Sequence, residues 1–269
     1  MIPKIIHYCW MSGEPFPELI QECIDTWKKF LPDYKIIEWN KNNFDVNIST
    51  FTKEAFEVKK YAFVSDYVRL YALYNYGGIY LDSDIKVLKS FNDLLNNKAF
   101  SGFESKERVG VWLLASEKEN PIFKEMLNCY KNKHFIKSDG TLDLEPNTSL
   151  LKPIFEKYGI KFNNQYQKNE YITIYPKDYF CPLNGDTGEI NITKNSYAMH
   201  LFNGAWVSKE QKKYANLYKF YYNKYKKCHF LFLAKILAKF VANYKIYPFN
   251  IFVKKILKKI FWGINNYED

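Results

Sequence analysis

Apolar and polar positions fall into two alternating regimes along this chain. Residues 4–10 form a short, nearly uninterrupted apolar run of the kind a buried strand requires. Residues 17–31 follow with Leu19, Ile20, Cys23 and Trp27 at helical spacing and proline in the opening turn. A second strand is predicted at 34–39. Residues 50–76 predict one long helix, with Phe63, Val64, Val68, Leu70 and Leu73 on its apolar positions and Gly77 and Gly78 where a helix C-cap is expected. The next strand, Ile79-Tyr80-Leu81, ends directly on Asp82-Ser83-Asp84. Further strands are predicted at 99–103, 109–115, 171–175 and 196–202, with helices at 121–131 and 148–158. Strands alternating with helices predict the α/β class.

Composition bounds this picture. With 269 residues, 47% apolar and 19% aromatic, the chain buries enough for one α/β domain and a small appendage. Five scattered cysteines form no CxxC and leave one unpaired in any bridging scheme, so a reduced, cytoplasmic setting is expected. The opening MIPKIIHYCW has no basic stretch followed by a long apolar one, so no export signal is expected, and no apolar run approaches the length of a membrane span. The net charge of +10 sits at one end. Fourteen lysines and one acid lie between Lys209 and Gly263, and 1–208 is close to neutral. A catalytic domain at 1–208 and a helical, basic extension at 209–269 are therefore expected.

In the extension, Ile251, Phe252, Val253, Ile256, Leu257, Ile260 and Phe261 form an apolar stripe with Lys254, Lys255, Lys258 and Lys259 on the other side, and 230–241 repeats the theme. Such helices suit an anionic membrane surface, so 230–262 is expected to dock peripherally at the inner face of the plasma membrane; the plainer reading is a pair of packed helices with solvated lysines. Lysines interleaved with aromatics could also bind nucleic acid. That reading leaves the acidic motif unexplained, and no nucleic-acid partner is expected.

Asp82 and Asp84 stand at the end of a strand, on the rim where α/β sheets bind ligands. Two carboxylates there can hold a hard divalent cation that also takes phosphate oxygens. Asp-x-Asp alone is weak, arising by chance about once in a chain of this length, and its plain reading is a solvated turn. An apolar strand and a Gly-Gly turn before it make an unpaired charge pair costly unless something binds it. Asp66 and Arg69 share a face of the preceding helix. As a simple intrahelical pair they would contribute roughly 0.2–0.5 kcal/mol; beside the Asp82 loop, Arg offers a rigid fork of donors and Asp an acceptor for sugar hydroxyls. His7, within the first strand, is assigned to structure.

Ala62-Phe-Val-Ser-Asp-Tyr-Val-Arg69, Leu73-Tyr-Asn-Tyr-Gly-Gly-Ile-Tyr-Leu-Asp-Ser-Asp84 and the opening Ile2-Pro-Lys-Ile-Ile-His-Tyr-Cys-Trp10 closely resemble the DXD sugar-binding region of glycosyltransferase family 32. The bacterial members most alike are capsular polysaccharide synthesis proteins, and the large clostridial glucosylating toxins share the pattern. The resemblance implies a GT-A fold, a UDP-sugar donor with UDP-galactose and UDP-glucose favoured, Mn2+ or Mg2+, and retention of anomeric configuration. It implies that Trp10 lies near the uracil or ribose, that Asp66 and Arg69 hold the donor sugar, that Tyr80 lines the pocket, that Asp82 contacts ribose and sugar through the metal's hydration shell, and that Asp84 binds the metal. Relatives carry Ala-x-His-His-x-x-x-Ser-Trp where this chain has Ala198-Met-His200-Leu-Phe-Asn-Gly-Ala-Trp206, which makes His200 the third ligand, with Asn203 as a substitute. A phosphatase of the haloacid dehalogenase type also places Asp-x-Asp after a strand, but Ile85 and the late position of the motif count against it. Transfer to a glycan acceptor, lipid-linked in surface polysaccharide synthesis, is expected; transfer to a protein, as in the toxins, is the alternative.

Overall fold

The computed structural model describes residues 1–204, 207, 209–226 and 231–246. They divide into two compact units, Met1–Leu183 with Ile190–Trp206, and Asn184–Glu189 with Val207–Asp269.

The first unit is built on a mixed sheet. In chain order its elements are β1 (Ile5–Cys9), α1 (Glu18–Phe30), β2 (Lys35–Trp39), α2 (Thr50–Glu57), α3 (Tyr61–Tyr76), β3 (Gly78–Leu81), β4 (Ile85–Val87), β5 (Ala99–Ser105), β6 (Arg108–Val109), β7 (Leu113–Ser116), α4 (Pro121–Asn128), α5 (Asn147–Lys157), β8 (Gln167–Lys168), β9 (Thr173–Tyr175) and β10 (Ala198–His200). The eight-stranded sheet runs β2-β1-β3-β7-β5-β9-β8, with β6 paired to β5. Strands β1, β2 and β3 are parallel, and β7 runs antiparallel between β3 and β5. The α/β class is therefore met by a central mixed sheet flanked by helices.

Alternation along β3 separates two cores. Ile79 and Leu81 join Ile24 and Trp27 of α1, while Tyr80 joins Val64 and Val68 of α3, Phe123 of α4 and Leu151 of α5. Burying apolar side chains on both faces is what fixes a strand's register, because a one-residue slip would exchange the two sets. Gly77 and Gly78 make the turn into β3 with φ of +66° and +104°. A Cβ on Gly78 would meet the Ile5 carbonyl oxygen at 2.7 Å, so both conformation and space demand glycine.

Two expected elements are interrupted. The helix expected over 50–76 breaks into α2 and α3 because Lys59 takes φ +57° and the Lys60 N–H donates back to Ala55 O at 2.8 Å, closing a left-handed C-cap without glycine. The strand expected over 109–115 breaks between β6 and β7, where the Ser101 hydroxyl donates to the carbonyls of both Gly110 and Leu113. The short β4 was hidden by its length. It pairs antiparallel with β10, setting His200 opposite Ile85.

The second unit contains α6 (Lys209–Tyr225) and α7 (Leu231–Ile246). Ala234, Ala238 and Ala242 of α7 are buried, with Ala234 and Ala238 clustered around Tyr222 of α6, while Ile236 and Leu237 are 48% and 45% exposed beside exposed Lys235 and Lys239. No helix among the described residues is long and apolar enough to cross a membrane. The apolar stripe expected over 251–261, and Trp206, lie outside the described residues. Cys9, Cys23, Cys129 and Cys181 are all free thiols.

Candidate active site

Strand β3 ends at Leu81, and the chain turns through Asp82-Ser83-Asp84 into β4, closed by Ile85 N–H to Asp82 O at 3.1 Å. The Asp82 N–H is held by Trp112 O at 2.8 Å, which pins the motif to the segment leading into β7. The β4–β10 pairing then brings His200 across. Ligand atoms of Asp82, Asp84 and His200 all lie within 4.8 Å of one another.

Behind Asp82 stands Arg69, 4% exposed on α3. Its Nη2 lies 3.1 Å from Asp82 Oδ1 and 3.1 Å from Asp66 Oδ1, its Nη1 donates to Val111 O at 3.1 Å, and its guanidinium stacks 5.1 Å over the Tyr80 ring. Burial works against the guanidinium's charge, but Asp82 and Asp66 outweigh it and hold the pKa above its ordinary value. Burial also raises both partner carboxyls, with Arg69 opposing: Asp66 is pushed up to about 6, and Asp82 moves upward. Asp84 goes the other way. Burial would raise it, but the nearby His200 and the Asn203 N–H, at 2.8 Å from Oδ2, bring it below the usual carboxylate range.

The site fits a hard divalent ion. Two carboxylates and an imidazole are an ordinary donor set for Mn2+. His200 turns Nε2 towards the carboxylates, 3.5 Å from Asp84 Oδ2, while its Nδ1 is buried and meets no hydrogen-bond partner among the described residues.

The other sequence-derived residues are placed as follows. Asn203 reaches Asp84 through its backbone N–H. Trp10 follows β1 on the same rim of the sheet, half-buried, its indole N–H donating to Glu14 O at 2.7 Å and its ring edge-on to Phe16. Tyr80 is wholly buried beneath Arg69. His7 is structural: its Nε2 meets Gly77 O at 2.8 Å and its Nδ1 meets the Trp39 indole at 3.1 Å.

Sequence reasoning missed a group on the α5 side. Tyr130 donates its hydroxyl to Asn147 Oδ1 at 3.1 Å, and the Asn147 amide faces Asp66 without closing to hydrogen-bond geometry, so its buried nitrogen has no partner among the described residues. The only available signal was an Asn at the start of a predicted helix, which reads equally well as a cap.

The chain is similar to several known proteins. The model of a family described as capsular polysaccharide synthesis protein matches residues 1–144. An uncharacterised protein of Arabidopsis thaliana is 31% identical over 120 residues, 45% of this chain and 18% of that one. Inositol phosphoceramide mannosyltransferase 1 of Schizosaccharomyces pombe is 26% identical over 147 residues, 49% of this chain and 44% of that one. Among solved structures, PaToxG glycosyltransferase overlays with a TM-score of 0.44 at 21% identity, covering 58% of this chain and 69% of that one. The chain thus spans less than half the length of either curated relative.

Proposed function

The chain belongs to the capsular polysaccharide synthesis protein family, and from that premise we propose that it is a glycosyltransferase of GT-A type. It would use a divalent metal to move a hexose from a nucleotide sugar to a glycan acceptor on a lipid, with retention of anomeric configuration. The observation that carries the reading is the closure of Asp82, Asp84 and His200 within 4.8 Å, directly beside the buried Asp66–Arg69 pair. One half of the site suits a metal-bound diphosphate, and the other suits sugar hydroxyls.

Asp84, Asp82 and His200 would hold Mn2+ or Mg2+, which when bound offsets the negative charge that grows on the departing diphosphate. The protein's own work is positioning. Arg69, fixed by four oxygens from helix α3, the turn after β3 and the segment between β6 and β7, keeps Asp82 and Asp66 in place, and Asp66 offers an oxygen to a sugar hydroxyl. Trp10 lies on the rim where a nucleoside would stack. UDP-galactose and UDP-glucose remain the favoured donors. The Schizosaccharomyces relative is named a mannosyltransferase, which adds a nucleotide-linked mannose to the panel, and the inositol phosphoceramide in that name supports a lipid-linked acceptor here.

We assign catalysis to 1–208 and membrane association to 209–269, at the inner face of the plasma membrane. The support is the exposed Ile236 and Leu237 flanked by Lys235 and Lys239.

Thermal stability of the protein with UDP and Mn2+, against UDP with EDTA, tests the site in wild type and Asp84→Asn. A ligand at a hundred times its Kd stabilises the folded state by about 2.7 kcal/mol. A metal-dependent increment that disappears in Asp84→Asn is expected, followed by hydrolysis of one of the three donors. No increment with UDP or GDP would overturn the reading.

A further inference from the structure

Among the described residues, His200 has no sign of the device that ordinarily aims a metal-binding imidazole. Such a ring usually donates its second nitrogen to a carboxylate, a carbonyl or water, which fixes tautomer and orientation. Here Nδ1 meets no partner among the described residues, and Nε2 makes only a 3.5 Å approach to Asp84 Oδ2. The backbone offers little compensation. Strand β10 is three residues long and pairs with the equally short β4, and the chain turns away at Phe202 with φ +53°.

Two aromatic rings contact the imidazole instead. The Trp112 ring stacks on His200 at a centroid distance of 4.8 Å and an interplanar angle of 29°, and the Phe202 ring lies at 4.2 Å and 36°. Trp112 is itself held in plane. Its indole N–H donates to Glu104 Oε2 at 3.2 Å, and Glu104 is paired with Arg108 at 3.0 Å. Space beneath the indole is closed as well: a Cβ on Gly110 would lie 2.6 Å from the Trp112 ring. The Trp112 backbone carbonyl accepts the Asp82 N–H at 2.8 Å. Trp112 therefore touches both sides of the ligand group, Asp82 through its backbone and His200 through its ring.

We propose that Trp112, held by Glu104, is a positioning residue that sets the metal affinity of the site by fixing the His200 ring through stacking in place of a hydrogen bond. The proposal rests on the reading of Asp82, Asp84 and His200 as a metal site. Its chemistry is specific: an aromatic ring at 112 is required, and the polar atom of that ring serves only to set its plane through Glu104.

The test is a titration of the full chain with Mn2+ at saturating UDP, read as loss of the free Mn2+ spin-resonance signal, with thermal stability in EDTA measured alongside. Trp112→Leu is expected to weaken Mn2+ binding about tenfold or more. Trp112→Phe, which keeps a stacking face, is expected to recover most of it, and Glu104→Ala to lie between. Should Trp112→Leu fail to fold, the ordering of Phe and Glu104→Ala against wild type carries the same information, because both leave the core largely filled. A purely structural role would lower thermal stability in EDTA while leaving the Mn2+ midpoint unchanged in these variants, and that result overturns the proposal alone. A wild type that binds no Mn2+ overturns the metal reading and this proposal together.

Discussion

Arg69 Nη2 stands 3.1 Å from Asp82 Oδ1, a bond that ties the middle of helix α3 to the carboxylate just past the end of β3. The same nitrogen reaches Asp66 at 3.1 Å, so two largely buried acids share one buried cation. Removing the cation leaves both uncompensated. Arg69→Met is expected to cost about 3–5 kcal/mol of folding stability, measured by urea denaturation at pH 7. Adding Asp66→Asn to that variant should restore part of the loss, since one of the stranded charges goes with it. A single variant within about 1 kcal/mol of wild type would mean that the acids are neutral in the fold and need no partner.

Much of this site was legible because its parts are local. Asp82 and Asp84 follow an apolar strand, and Asp66 and Arg69 lie one turn apart on a helix, so periodicity alone set one pair at a strand's end and the other on a helix face. His200 is different. It lies 116 positions beyond Asp84, on a strand of three residues, and only the resemblance to a known motif singled it out before the β4–β10 pairing placed it. Tyr130 and Asn147 had no such guide, because what places them beside Asp66 is the packing of α3 with the segments around α4 and α5. The break at Lys59 was invisible for a related reason: a left-handed C-cap is normally announced by Gly or Asn, and here Lys occupies it.

Asn203 and His200 are separated by the way each meets Asp84. Asn203 uses its backbone N–H, so Asn203→Ala is expected to keep the Mn2+ midpoint within about twofold, while His200→Ala should shift it by tenfold or more. Isothermal titration of Mn2+ into the UDP-bound protein decides between them. Equal losses in the two variants would show that the Asn203 side chain is a ligand.

His7 gives the fold an acid limit. The Trp39 indole can only donate and the Gly77 carbonyl can only accept, so the ring is neutral, with its proton on Nε2. Burial, the largest cause, lowers its pKa from 6.5 to about 4. A base depressed in the fold leaves stability intact above the unfolded pKa and erodes it as pH falls, because the unfolded chain binds a proton that the folded one refuses. Between pH 6.5 and 4 the loss should reach about 3 kcal/mol. Urea midpoints across that range should fall more steeply for wild type than for His7→Gln, whose amide can donate and accept without titrating. Parallel slopes would assign the acid limit to other groups.

Among the described residues, helix α7 buries alanines and exposes larger apolar side chains. Ala234 and Ala238 of α7 pack around Tyr222, whereas Ile236 and Leu237 face outward beside Lys235 and Lys239. For a helix that ended its packing at α6, burying alanine and exposing isoleucine and leucine would waste apolar area. On an anionic bilayer the same face inserts its apolar side chains at the acyl boundary, and each nearby lysine adds about 1 kcal/mol. Flotation with vesicles containing phosphatidylglycerol should therefore carry the wild-type chain upward, and pure phosphatidylcholine vesicles should carry far less. Ile236→Ser with Leu237→Ser should reduce binding at unchanged charge, whereas Lys235→Gln with Lys239→Gln should reduce it mainly at low salt, where charges are least screened. Wild type that ignores anionic vesicles would refute the membrane assignment and leave the catalytic one standing.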